Sequence, residues 1–312
     1  MRRIPSDASP SSSNNYLQRM KRLAFFSIFL LLPWAVRAQG LKSEDNTATN
    51  LVEMRVAATF TKHFKDAHVN LYASEEIYSR LYESTYSSLS GNTETVAPCF
   101  RRSYTTVGVS YHPITYLRFG ADYTLKVYGN KFTASDGSAN PAGKFLRHRV
   151  ALFVTGQYSV DEWKFSLREK LDMNIRTDSV NLNERPKTDL ILRHRLQAQY
   201  SIPGKPLKAY ANIELWNTLN QPTAYLNTYA GIDTDGDATA YAGKRFGQYL
   251  SEVRTQIGLN WRVDKSNTLG IAYRFVYGYS RDVNITKTKA NIELTHAKSY
   301  GHYIIVTYDL DW

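Results

Sequence analysis

The most constraining feature of this chain is a period of two. From about Leu51 onward, runs of ten or more residues alternate apolar and polar positions, the signature of strands with two unlike faces. In Leu117–Val127, Leu117, Phe119, Ala121, Tyr123, Leu125 and Val127 share one face, and Arg118, Gly120, Asp122, Thr124 and Lys126 share the other. Trp163–Arg176 repeats the pattern, with Glu169 alone interrupting its apolar face. Segments containing Leu196–Ile202, Leu207–Leu215, Val253–Trp261 and Leu269–Tyr277 follow the same rule. Such runs are long for globular strands, whose common length is ~5 to 6 residues, and match the ~9 to 11 that cross a bilayer obliquely.

Alternation leaves open which face points inward. A secreted sandwich or lipocalin-like barrel would bury the apolar face, whereas a membrane barrel would turn it outward. Three features favour the membrane barrel. The connections alternate between tight (Lys65–Ala67, His112–Thr115, Val160–Glu162, Pro203–Pro206, Asp264–Asn267) and long (about Leu81–Arg102, Gly129–Lys144, Asp178–Asp189, Gln221–Gly247, Asp282–Ser299), the rhythm of short periplasmic turns and longer external loops. Tyr111, Tyr116, Tyr158, Trp163, Tyr200 and Trp261 cluster beside the tight turns, where an aromatic girdle would sit. The C-terminus places Trp312, Leu310, Tyr308, Val306 and Ile304 on one face against Asp311, Asp309 and Thr307, and its terminal aromatic is similar to the assembly signal of outer-membrane barrels.

Eleven segments are legible: about 51–64, 68–80, 103–111, 116–128, 145–159, 163–176, 190–202, 207–219, 248–263, 268–281 and 301–312. Bacterial single-chain barrels have even numbers of strands. The expectation is therefore an all-β, antiparallel up-and-down transmembrane barrel of about twelve strands, the twelfth supplied by a segment such as Ala290–Thr295. Ten is the alternative, and an antiparallel closure of last strand on first requires one of these.

Composition excludes other classes. Charged residues make up 21% of the 312, and mean hydropathy is −0.43, which rules out a bundle of apolar transmembrane helices. The continuous apolar run Leu23–Leu32, after Lys21 and Arg22 and before Val36-Arg37-Ala38, reads as a signal peptide cleaved after Ala38, with Met20 as an alternative start. Residues 39–50 would form a short N-terminal segment before a barrel over 51–312. Without residues 1–38 the net charge falls from +11 to +6, spread along the strands, so no nucleic-acid partner is expected. The single cysteine, Cys99, permits no intrachain disulfide, and Gln39 stands where a lipoprotein would need cysteine.

The polar face would line the lumen. Its charges are Glu53, Arg55, Arg118, Asp122, Lys126, Lys164, Arg168 and Lys170, followed by Asp172, Arg193, Arg195, Glu214, Arg254, Arg262 and Arg274. Either interleaved salt bridges fill a narrow interior, or the basic excess favours anionic solutes along a wet path. An internal echo, Leu146-Arg147-His148-Arg149 and Leu192-Arg193-His194-Arg195, puts both histidines on the apolar side, a reflection of equivalent strand positions. An enzyme pairing serine with His148 or His194 would modify lipid, yet no Gly-x-Ser-x-Gly or His-Glu-x-x-His is present. Asp233-Thr234-Asp235-Gly236-Asp237 is similar to the front half of a calcium loop, but Lys244 occupies the distal glutamate position, so neither metal nor other cofactor is expected. A third reading is surface binding through the long loop Gln221–Gly247.

Arg101-Arg102-Ser103-Tyr104, Val107–Pro113, Phe165–Leu171, Leu192–Leu196 and Pro206–Leu215 carry a likeness spanning nearly all of residues 50–312. On them the chain resembles the domain-of-unknown-function 2490 family of outer-membrane barrels. The resemblance implies fold and location, with outer-membrane lipid, lipopolysaccharide and the barrel-assembly machinery as partners, and supplies no catalytic residues.

Overall fold

Strands with one apolar and one polar face, joined by short turns, pair most readily with their sequence neighbours, and the chain does so throughout. The computed structural model describes residues 45–88, 90–129, 145–177, 187–220, 249–285 and 292–312, and these contain strands and no helix. The strands are β1 (Asp45–Phe64), β2 (Val69–Ser87), β3 (Thr93–Val96), β4 (Cys99–Ile114), β5 (Leu117–Tyr128), β6 (Phe145–Val160), β7 (Trp163–Arg176), β8 (Thr188–Ser201), β9 (Leu207–Thr218), β10 (Tyr249–Arg262), β11 (Asn267–Ile285) and β12 (Ile292–Asp311).

All twelve belong to one sheet, and eleven of them close a barrel. The extra strand, β3, lies on the same edge of β2 as β4 does: Glu83–Tyr86 face β3, and Val69–Arg80 face β4. Between β3 and β4 stand Ala97 and Pro98, and proline has no amide to continue a ladder. The Arg80 guanidinium donates to the Ala97 carbonyl across the break at 3.2 Å. β3 and β4 are one stave interrupted by Pro98.

The odd number of staves decides the closure. In an up-and-down meander of eleven, the first and last strands run in the same direction, so β1 pairs with β12 in parallel, from Asp45–Thr295 to Thr61–Asp311. The antiparallel closure expected from an even count does not form. Ala290–Thr295, the candidate for an added strand, instead overlaps the first residues of β12. β1 and β12 are thus both 20 residues long, and β1 begins at Asp45 rather than near Leu51. Two expected long connections shorten as strands extend into them, 81–102 to 88–92 and 282–299 to 286–291.

The tight turns gather at one rim. His68 and Asp161 take positive φ there (53° and 50°), as does Gly204 (69°) within Pro203-Gly204, conformations that let strands reverse in a few residues. Trp312 leaves the wall at this rim, its amide donating to the Thr61 carbonyl at 2.8 Å. β1 enters at the opposite, long-loop rim, where Asn46 lies near Ser88. Residues 1–38, expected to be a signal peptide, the Asp233–Asp237 motif and the whole of the 221–247 loop lie outside the described residues.

Candidate functional site

The barrel turns its apolar face outward and its charged face inward. Ile257 and Ile271 are 62% and 58% exposed, while Glu53 and Asp172 are 0% and 1% exposed. Alternate residues of every long stave therefore meet unlike surroundings, and among the described residues charged side chains converge in the lumen.

Its centre is a chain of ion pairs crossing five strands. Lys170 on β7 donates to Asp122 on β5 at 2.6 Å, and Arg149 on β6 stands 3.7 Å from Asp122 and 3.9 Å from Asp172. Arg193 on β8 bridges Asp172 at 3.0 Å and Glu214 on β9 at 2.8 Å. Lys126 reaches Asn174 at 2.6 Å. Arg193 and Arg254 both lie over the Trp216 ring, 4.3 and 3.6 Å from its centroid, and Arg254 is paired with Glu252 at 2.5 Å. Burial makes each pair dependent on its partners, because a charge left unpaired in such a place costs several kcal/mol, roughly 3 to 5.

A second cluster joins the closing strands. The Glu53 carboxylate on β1 receives Arg101 and Arg102 of β4, the latter at 2.9 Å. Arg55 holds Glu76 through two contacts of 2.7 and 3.1 Å, and the Tyr78 hydroxyl donates to the same carboxylate at 2.8 Å. Arg274 donates to Gln256 at 2.8 Å, and Gln256 donates in turn to the Tyr210 hydroxyl at 2.7 Å. Beside them Leu51, Tyr78, Ala272, Val276, Tyr303 and Ile305 form an apolar filling inside the barrel. Ion pairs and this packing together crowd the lumen at mid-wall and along the closing strands.

The nine lumen charges singled out from sequence thus separate. Asp122, Asp172, Glu214 and Arg254 are joined by ion pairs, and Lys126 and Arg274 by hydrogen bonds to neutral side chains. Arg118, Arg168 and Arg195 have no carboxylate partner among the described residues. Period-two reasoning placed Arg149, which flanks His148, on the inward face, and missed Glu76, Tyr78, Arg101, Arg102 and Glu252. Continuing the alternation of β2 from Tyr72 through Ser74 reaches Glu76, Tyr78 and Arg80, so the pattern held the first two.

At the C-terminus Trp312 is 79% exposed, with Ile304, Val306 and Tyr308 exposed on the same face and Leu310 half-buried. The Lys62 ammonium stands 3.6 Å over the Trp312 ring, and the Tyr308 hydroxyl donates to Asn267 at 2.5 Å. Trp163 and Tyr200, ring centroids 4.9 Å apart, continue the aromatic row at the short-turn rim.

The histidines of the internal echo point outward. His148 meets the Tyr123 hydroxyl at 2.6 Å, and His194 pairs with Glu169, the residue that interrupts the apolar face of β7. Neither meets a serine among the described residues, and no cluster there could hold a metal ion. Comparison with protein-family models found no match, and comparison with curated proteins found none either.

Proposed function

We propose that the protein is an integral outer-membrane barrel related to the domain-of-unknown-function 2490 family, with a salt-bridged interior that makes it a structural barrel or, at most, a narrow channel. One observation carries this reading: the exposed apolar face outside and the buried charged face inside. In water the arrangement would leave a continuous belt of large apolar side chains exposed, far beyond the few hundred Å² a soluble monomer usually shows. Against hydrocarbon the belt is favourable, and pairing of β1 with β12 leaves neither with a free edge. The crowding of the lumen at mid-wall supports the structural version over a wide pore.

Two measurements test it. Expressed with its leader, the protein should fractionate with outer membranes, resist extraction by carbonate, and shift in electrophoretic mobility on heating. Recovery as a soluble monomer without detergent would end the proposal. In planar bilayers the refolded protein should show small conductance or none, and a large open-pore step would remove the filled-lumen version. Removal of Trp312 should reduce insertion in cells through lost recognition by the assembly machinery, while leaving refolding into detergent intact.

A further inference from the structure

We propose that Arg118, Arg168 and Arg195, with Lys164 nearby, form a binding site inside the lumen for a dianionic oxyanion of the phosphate type.

The three arginines lie on one line across the wall. Cross-strand pairing runs from Arg118 on β5 to Thr155 on β6, to Arg168 on β7 and to Arg195 on β8, so the guanidinium groups rise from near the short-turn rim to the middle of the barrel. Arg168 and Arg195 are direct partners in the β7–β8 register. Like charges placed opposite each other on one face repel. Arginine cannot relieve this by losing its proton.

Each nearby carboxylate accepts from another cation through one of its oxygens. Glu214 stands across from Arg195 in the β8–β9 register, but its carboxylate is held by Arg193. Asp122 is held by Lys170, and Asp172 by Arg193. Asp309, on the far closing strand, makes no ion pair with the three arginines among the described residues. Lys164, two residues from Ser166 on the same face of β7, adds an exposed ammonium toward the rim and likewise has no carboxylate partner among the described residues.

The site is built rather than loose. Arg118 and Arg168 both lie over the Phe153 ring, 5.6 and 4.9 Å from its centroid, and the Arg118 Nε is buried with no hydrogen-bond partner. Phe153 takes that position because its register partner is Gly120: a Cβ there would lie 2.2 Å from the ring. One aromatic face attracts a guanidinium by about 2 kcal/mol when desolvated, too little to neutralise the repulsion of three. Planar guanidinium forks match the oxygens of phosphate in pairs, and three fixed positive charges favour a dianion over chloride.

The test uses the full barrel refolded in nonionic micelles, so its outcome does not depend on where the protein resides. Inorganic phosphate is titrated calorimetrically at constant ionic strength, with chloride as the balancing anion. About one phosphate per barrel should bind saturably. Arg168→Gln and Arg195→Gln should each weaken binding at least tenfold, while Lys205→Gln, the same charge change in the β8–β9 turn, should leave it unchanged. Absence of saturable binding by the wild-type protein overturns the proposal, as does equal weakening by all three variants or equal binding of chloride. Should a glutamine variant fail to refold, wild-type stoichiometry and the preference for phosphate over chloride still decide.

Discussion

The two halves of the lumen carry similar side chains in opposite electrostatic states. Toward the long loops and at mid-wall, Lys170, Arg149 and Arg193 share Asp122, Asp172 and Glu214, and Glu53 gathers Arg101 and Arg102. From the short turns to mid-wall, Arg118 and Arg168 share the Phe153 ring and Arg195 stands beside Arg168, none of them in an ion pair among the described residues. The same residue type is a structural rivet in one half and an unsatisfied charge in the other. Competition for the carboxylates decides which: Glu214 on β9 is the register partner of Arg195, yet its Oε1 accepts from Arg193.

Removing a shared carboxylate should break the paired half most severely. Asp172→Asn removes the carboxylate that Lys170, Arg149 and Arg193 share, leaving three cations to Asp122 and Glu214, and unfolding in urea, followed by tryptophan fluorescence in micelles, should lose about 3 to 5 kcal/mol. A loss no larger than that of a surface substitution would mean that the network does not hold the barrel. Next in size, Gly120→Ala should displace the Phe153 ring that supports Arg118 and Arg168, costing about 1 to 3 kcal/mol through overpacking. If the variant unfolds like wild type, Phe153 is free to move and the arginines are not held.

In the unpaired half the sign reverses. Arg168→Gln relieves repulsion from Arg195, so in buffer with chloride as the sole anion the barrel should gain up to ~1 kcal/mol, a gain that shrinks in phosphate. A destabilisation in both buffers would erase the contrast between the halves.

The smallest effect belongs to the rim outside the lumen. In the β10–β11 turn the Asp264 carboxylate accepts from the Asn267 side chain at 2.6 Å and from the Ser266 and Asn267 amides at 2.8 Å each. These bonds, the Asn267 side chain foremost, hold its carboxyl below the usual range. The stabilisation is therefore present above an unfolded value of about 3.9 and disappears as pH falls through the lower folded value. Asp264→Asn should flatten this part of the acid side of the pH–stability curve and leave neutral stability almost unchanged. Identical acid profiles for the two proteins would remove Asp264 from the account.

Much of the wall could be read residue by residue. Arg118, Asp122 and Lys126 share a face because strands repeat every two residues, and the same reasoning orders Ile304 to Trp312. The turn chemistry of Asp161-Glu162 and Pro203-Gly204 marked where strands reverse. The partner of Arg193 could not be read this way, since Asp172 and Glu214 reach it from strands before and after its own. Nor could the His194–Glu169 pair, although Glu169 was visible as the interruption in its strand.

By itself, then, the sequence determined strand positions, the split of each strand into two faces and the places of reversal, because these follow from local periodicity and turn preference. Only the tertiary structure decided that eleven staves close with β1 parallel to β12, that the charged face turns inward, and which arginines find a carboxylate. Those outcomes depend on register between strands and on the parity of the whole sheet, which no single segment contains.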